Sequence, residues 1–410
     1  SEWMKMELIY YRFYIFFYCN IVLDKRLIMA NIFDYLEWRS DVPFSCDPFN
    51  EVDNLVLAQL AYTDFDGCIP EDKEDGATLK EIYEQYYRIH TREEILARTS
   101  FIAKAPLLMD KMIDSKRYGN IRLKGYVNYI NDKKSQQMSA VQMYLSDGTV
   151  YLAYRGTDDT FTGWKEDLCF SYMEETAGQR ESLLYMNEHF LDKSVKLRVG
   201  GHSKGGNFAI YASAFCDASI QENIIEVYSN DAPGFMYEIT MKEQYQKLLP
   251  KIKAIVPECS VIGVLMYSSG KRKVIQSSGK GLMQHDANTW QVIRNHFIEV
   301  EERSANSILA DKTIRGWLKD LSLEDREVFV QTIFEVLESS GAACVSEFNR
   351  SIIANVPKIV MKLSSLPKEK LDNFKMVIVE LAKSYIGETT DSLENGIKEA
   401  ANNLKKKLSN

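Results

Sequence analysis

The sequence lacks most of the patterns that mark metal-dependent, cofactor-dependent and disulfide-built proteins. Its seven cysteines are odd in number and scattered, with no C-x-x-C pair and no Cys/His spacing typical of zinc. It contains no glycine-rich phosphate-binding loop and no internal repeat. A net charge of −8 argues against general nucleic-acid binding. These absences predict no metal, no cofactor, no nucleic-acid partner and a reducing compartment, the cytoplasm.

The composition is that of an ordinary globular protein, with 45% apolar and 26% charged residues. Its 410 residues allow one large domain with a smaller one beside it, or an enlarged single domain. Residues 1–28 are rich in apolar and aromatic side chains, but the apolar run is short for a membrane span and no cleavage site follows. We interpret them as a leader outside the fold, with membrane-surface contact as the alternative.

Strand-like and helix-like runs alternate between residues 121 and 277, with a hairpin signal at Asp147-Gly148. This alternation predicts an α/β domain over residues 29–300 with a mostly parallel central sheet and helices on both faces. The stretch at about 65–118 predicts a helical insertion that could cover a cleft. Residues 301–410 predict a helical C-terminal region, whose protein partner the sequence does not identify.

The most specific pattern is the pentapeptide Gly201-His-Ser-Lys-Gly205, between an apolar run and a run of small residues. G-x-S-x-G in a strand–turn–helix context is typical of the nucleophile elbow of α/β-hydrolases, in which a strained turn holds the serine hydroxyl clear of the backbone. The motif therefore predicts an α/β-hydrolase fold for this domain. Side chains at the two glycine positions would collide with the neighbouring strand or helix. The alternative is a glycine-rich turn in which Ser203 only caps the helix.

A serine nucleophile needs a base, and the chain order serine, acid, histidine leaves His285 and His296 among the five histidines. His285 lies in a glycine-marked loop after the last strand-like run, whereas His296 lies in a run typical of a strand or helix interior. We therefore predict His285 as the base. His202, inside the elbow, should point away from Ser203.

The acid is either Asp231 or Glu258, because each follows one of the two strand-like runs after the elbow. Catalytic groups gather at such carboxyl ends of strands in open α/β sheets. The second run is the commoner place, but a glutamate between proline and cysteine is an unusual choice. We place Asp231 first, although it could only form a turn before Ala-Pro-Gly, and Glu258 could be a solvated loop carboxylate.

An oxyanion hole needs two backbone donors. The N–H of Lys204, directly after the serine, is predicted as one of them. The other should come from the loop after the third strand-like run, which begins Arg155-Gly-Thr-Asp158.

Two segments before the elbow, together with the elbow itself, resemble the class 3 lipase pattern. These segments are Tyr151-Leu-Ala-Tyr-Arg-Gly-Thr-Asp158 and Trp164-Lys-Glu-Asp-Leu168. The resemblance covers roughly residues 30–300. It implies that Ser203 is the nucleophile and Thr157 an oxyanion donor. It also implies that Arg155 and Asp167 brace the oxyanion loop.

The sequence is also similar to a bacterial branch of lipase-like proteins. Three strings carry this similarity: Gly201-His-Ser-Lys-Gly-Gly-Asn207, Ser229-Asn-Asp-Ala-Pro-Gly-Phe235 and Gln284-His-Asp286. Two departures from better-known lipases stand out. Lys204 replaces a small or apolar residue and would put a cation beside the site, and Glu258 replaces the usual aspartate.

The resemblance implies a serine esterase or lipase acting on a lipid or a small acyl ester. The alternative is a catalytically weak or inactive hydrolase fold that binds or scaffolds another molecule.

Overall fold

The computed structural model of the protein describes residues 30–70, 74–98, 101–158, 160–191, 193–341 and 352–386. The leader predicted at residues 1–28 lies outside these ranges. No helix in the described ranges has both the length and the apolar character that a membrane crossing requires.

Eight strands form one sheet in which every strand lies beside its neighbour in sequence. The first four strands are antiparallel to one another and the last five run parallel, so the sheet is mixed where a mostly parallel one was predicted. The turn at Asp147-Gly148 is too short for a crossover helix and makes its strands antiparallel. The strands are β1 (Ala77–Thr78), β2 (Arg122–Asn131), β3 (Gln136–Tyr144), β4 (Val150–Tyr154), β5 (Leu197–His202), β6 (Ile224–Asn230), β7 (Ile252–Pro257) and β8 (Arg272–Ile275), with β9 (Val292–Ile293) and β10 (His296–Phe297) in a separate ribbon.

Helices pack on both faces of this sheet because successive side chains of a strand point to opposite sides. Before the elbow they are α1 (Ile32–Arg39), α2 (Glu51–Leu60), α3 (Leu79–Ile89), α4 (Arg92–Ala97), α5 (Met109–Met112), α6 (Phe161–Cys169) and α7 (Ala177–Phe190). After it come α8 (Lys204–Phe215), α9 (Ala218–Asn223), α10 (Tyr237–Thr240) and α11 (Glu243–Leu248). In β4, Tyr151 and Ala153 join the core that contains α2, while Leu152 and Tyr154 join the core that contains α8.

In the described residues, the stretch at about 65–118, predicted as a helical insertion, contains helices and one short strand that belong to the main body. Thr78 and Thr91 cap α3 and α4 with capping boxes, which fix where these helices begin. Ala77–Thr78 pairs with β2 as the edge strand of the sheet. Ile82 and Tyr86 of α3 are fully buried in the same core as α2.

The described C-terminal helices are α12 (Ala305–Asp320), α13 (Leu323–Glu338), α14 (Ile352–Ser365) and α15 (Lys368–Ile386). Phe329 and Phe334 of α13 and Val377 of α15 form a third apolar cluster with Phe161 and Cys169 of α6. The C-terminal helices α13 and α15 therefore pack against α6, the helix that follows the loop around Thr157.

The parallel strands β5, β6 and β7 end side by side, and this places the predicted site residues. The N–H of Ser203 donates to the carbonyl oxygen of Asn230 at 2.9 Å, and the N–H of Asp231 donates to that of Ile255 at 2.8 Å. Ser203, which follows β5, thus lies beside β6, and Asp231, which follows β6, lies beside β7.

Candidate active site

Ser203 occupies a strained turn between β5 and α8. Its φ of 57° and ψ of −135° are rarely adopted by a residue with a side chain. A Cβ on Gly201 would collide with the backbone of Gly205, and a Cβ on Gly205 would collide with the carbonyl oxygen of Tyr154. Both glycines are therefore required by close backbone approach, which is the geometry of a nucleophile elbow.

The imidazole of His285 lies between the serine and an aspartate. Its Nε2 is 3.0 Å from Ser203 Oγ, and its Nδ1 is 2.7 Å from Asp231 Oδ2. The His285 side chain is 16% exposed and Asp231 is fully buried. The distances are those of a serine, base and acid in hydrogen-bond contact.

Asp231 is held by two further donors. The Ser260 hydroxyl donates to Oδ1 at 2.5 Å, and the N–H of Gly263 donates to the same oxygen at 3.1 Å. One carboxylate oxygen therefore accepts from the loop after β7, and the other faces His285 Nδ1.

Glu258 directly follows β7 and bonds to the neighbouring segments through its backbone. Its N–H donates to the carbonyl oxygen of Ile275, and its own carbonyl accepts from the N–H of Ser304. The structure brings Asp231, and not Glu258, to the Nδ1 of His285. Glu258 thus stands one strand further along the sheet, at the commoner position for an acid.

The loop that carries His285 is tied to the loop that carries Ser260. Gln284, which is buried, accepts the N–H of Cys259 at 2.7 Å with its side-chain oxygen. The indole N–H of Trp290 donates to the Gln284 carbonyl at 2.8 Å. Neither contact was expected from the sequence. The contact between Gln284 and Cys259 joins segments that are far apart along the chain, and the contact between Trp290 and Gln284 depends on how the loop closes.

Two backbone N–H groups are available for an oxyanion. Among the described residues, neither Thr157 N–H nor Lys204 N–H has a hydrogen-bond partner. Lys204 is the first residue of α8, where a helix leaves its N–H groups unpaired. The Thr157 hydroxyl donates to Asp167 Oδ2 at 2.5 Å, so its proton is already engaged.

Arg155 and Asp167 both contact the loop around Thr157. Arg155 donates to Asn128 Oδ1 at 2.9 Å and lies 3.7 Å from the carboxylate of Asp158. The other Asp167 oxygen is buried without a partner among the described residues. Burial raises the pKa of Asp167 to about 6, while nearby Lys204 and the Thr157 hydroxyl act in the opposite direction.

We expect Asp167→Asn to stabilise the fold above pH 6 and to have little effect near pH 4. A folded-state pKa of about 6, above the usual 3.8, means that the folded protein binds the proton more tightly than the unfolded chain does. The free energy of unfolding therefore falls as pH rises through this window, by up to about 3 kcal/mol. Urea unfolding of both proteins at pH 4, 6 and 8 measures the difference.

Asparagine keeps an oxygen for the Thr157 hydroxyl, so the variant resembles the protonated aspartate. Asp132→Asn, at an exposed turn, is the matched control and should leave the pH dependence unchanged. A difference between Asp167→Asn and wild type that is the same at all three pH values would contradict the prediction.

The ammonium of Lys204 is buried and paired. It donates to Gln137 Oε1 at 2.9 Å and to the carbonyl of Gly163 at 3.1 Å, and it lies 3.4 Å from Glu166 Oε2. The Lys204 and Glu166 side chains are both fully buried. The cation expected beside the site is therefore neutralised by a carboxylate of α6.

His202 and His296 are the other two histidines that the sequence analysis considered. His202 is fully buried, and its Nε2 is 2.8 Å from the carbonyl oxygen of His285. Its side chain thus contacts the backbone of His285 rather than Ser203. His296 is exposed on β10.

In the described ranges, no group of three or more His, Cys, Asp or Glu side chains has the arrangement of a metal site.

The sequence profile of the Mbeg1-like family matches residues 112–335, which is more than half of the 410 residues. The chain belongs to the Mbeg1-like family. This family is lipase-like, so the lipase resemblance seen in the motifs holds at that coarser level. Comparison with curated protein sequences found no match.

Solved structures similar to this Mbeg1-like chain are lipases. The M37 lipase is 14% identical, with a TM-score of 0.33, over 51% of this chain and 68% of that one. A deletion mutant of the Rhizomucor miehei lipase propeptide complex is 15% identical, with a TM-score of 0.33, over 56% of this chain and 84% of that one. The native form of that complex is 14% identical, with a TM-score of 0.32, over 55% and 80%.

Proposed function

We propose that this Mbeg1-like chain is a serine hydrolase that cleaves carboxylic esters through an acyl-enzyme on Ser203. The contact series Ser203 Oγ, His285 and Asp231, at 3.0 and 2.7 Å, is the observation that carries the proposal. The motif strings at the elbow, at Asp231 and at His285 also lead us to propose kinship with the bacterial lipase-like branch. Residues 29–300 would form the hydrolase domain.

In the proposed reaction, Ser203 Oγ attacks the ester carbonyl carbon and its proton passes to His285 Nε2. The carbonyl oxygen becomes an oxyanion that the N–H groups of Thr157 and Lys204 can face. His285 then gives the proton to the departing alcohol oxygen, which leaves Ser203 acylated. Water, deprotonated by His285, attacks the acyl carbonyl, and Ser203 recovers its proton as the carboxylic acid leaves.

The substrate class that we propose is a lipid or a small acyl ester. An inactive scaffold gains no specific support, because the serine and histidine lie within hydrogen-bond reach. Flotation with liposomes, with and without residues 1–28, tests whether the leader adds membrane contact. The cytoplasmic location stays a prediction.

A fluorophosphonate probe tests the nucleophile directly. We expect the wild type to be labelled and Ser203→Ala not to be, because the probe reacts only with an activated serine. Ser213→Ala, which alters a buried serine further along α8, is the matched control and should be labelled like the wild type. Hydrolysis of short, medium and long p-nitrophenyl esters in parallel identifies the acyl preference. Absent labelling of the wild type, or equal labelling of Ser203→Ala, would refute the proposal.

A further inference from the structure

A second histidine lies against the proposed base. The rings of His202 and His285 have centroids 4.6 Å apart and planes inclined by 33°. His202 Nε2 is 2.8 Å from the His285 carbonyl oxygen, and the Tyr62 hydroxyl is 3.1 Å from His202 Nδ1. The reaction described above uses neither His202 nor Tyr62, although both are buried directly beside it.

These contacts fix which nitrogen of His202 carries hydrogen. A carbonyl oxygen only accepts, so His202 Nε2 must donate to His285. In a neutral ring Nδ1 is then an acceptor, and the Tyr62 hydroxyl is its donor. Burial, and next the nearby His285, hold the pKa of His202 far below its usual range, so the ring is neutral.

Tyr62 extends the same contacts to the oxyanion loop. Its hydroxyl is also 3.2 Å from the carbonyl oxygen of His202, which precedes the serine. A Cβ on Gly156 would collide with this hydroxyl and would lie 3.1 Å from the Cβ of Ser203. One side chain thus touches the backbone of the oxyanion loop, the residue before the nucleophile and the ring beneath the base.

We propose that His202 and Tyr62 are positioning residues that hold the backbone of His285 in register with the oxyanion loop. The inference rests on the proposed function, in which His285 is the base. When His285 gains the serine proton it becomes cationic, and a charged ring 4.6 Å away would oppose that step. His202 remains neutral, because burial and then the adjacent His285 imidazole disfavour a positive charge on its ring.

Two substitutions of His202 separate its two contacts. Glutamine reaches as far as Nε2 and keeps a donor for the His285 carbonyl, whereas asparagine reaches only as far as Nδ1. We expect His202→Asn to lower kcat by about 10- to 100-fold, as small displacements of catalytic groups do, with KM nearly unchanged. We expect His202→Gln to restore most of kcat and Tyr62→Phe to fall between the two. Equal kcat values for the Asn and Gln variants would overturn the proposal.

Tyr185→Phe is the matched control, because it removes a buried hydroxyl that bonds Gly125 and Gln142 away from the site. It should cost stability and leave kcat unchanged. Thermal unfolding of each variant separates loss of fold from loss of positioning.

A readout independent of activity uses the wild-type protein with ¹⁵N-labelled histidine. We expect one histidine to show a protonated Nε2 and a bare Nδ1 at every pH from about 5 to 9, because it stays neutral. The His202→Gln spectrum, lacking that signal, assigns it. A His202 that titrates in this range, or one with hydrogen on Nδ1, would overturn the proposal. If the fluorophosphonate does not label the wild type, the proposed function fails, while this spectrum still decides the hydrogen bond to His285.

Discussion

Asp231→Asn is expected to lower kcat by about 10⁴-fold, as the same change of the triad aspartate does in a known serine protease. The Ser260 hydroxyl and the Gly263 N–H both donate to Asp231 Oδ1, so an asparagine must turn its oxygen toward them. Its NH₂ group then faces His285 Nδ1 and forces that nitrogen to accept. The hydrogen moves to Nε2, which can no longer take the proton of Ser203.

Glu258→Gln is the control that separates the two acid candidates. Because Glu258 meets its neighbours through backbone groups at the sheet edge, its substitution should change kcat only slightly. Steady-state hydrolysis of a short p-nitrophenyl ester by both variants measures the difference. A large fall in kcat for Glu258→Gln with near-normal Asp231→Asn would assign the acid to the other strand.

Lys204→Met is expected to lower the free energy of unfolding by about 3–5 kcal/mol, because it leaves a buried carboxylate without its cation. Glu166 would keep the N–H donors of Gln137 and Gly178, at 2.8 and 2.6 Å, but would lose its only cationic partner in the described part of the chain.

Urea unfolding of the variant and the wild type at pH 8 measures this effect. Lys253→Met, at an exposed position of β7, is the control and should change stability by less than about 0.5 kcal/mol. Methionine retains the backbone N–H at position 204, so the folded fraction should keep most of its kcat. A large fall in kcat at unchanged stability would instead mean that the ammonium acts on the substrate.

The sequence predicted the parts of the site that depend on short-range pattern. Gly201 and Gly205 flank Ser203 because the surrounding backbone is too close to allow a Cβ atom at either position. A steric requirement of such short range can be recognised within five residues of sequence. His285 followed from the order of the chain and from the glycines in its loop.

The parts that the sequence left open or missed depend on distant partners. Asp231 and Glu258 differ in which strand end faces His285, and that depends on how β6 and β7 lie beside β5. Lys204 was expected to add a cation to the site, yet its partner Glu166 comes from a helix that only the fold brings near. The contact between Tyr62 and His202 spans 140 residues, and no local pattern marks it.

The order of strands in the sheet has a consequence for synthesis on the ribosome. Because each of the eight strands pairs with the one before it, the sheet can grow by one strand at a time as the chain emerges from its N-terminal end. Ser203 and Asp231 can be in place once β7 has joined the sheet. His285 emerges later, and so does Ser307, whose hydroxyl donates to the carbonyl of Ser260. A nascent chain therefore carries the proposed nucleophile well before it carries the proposed base.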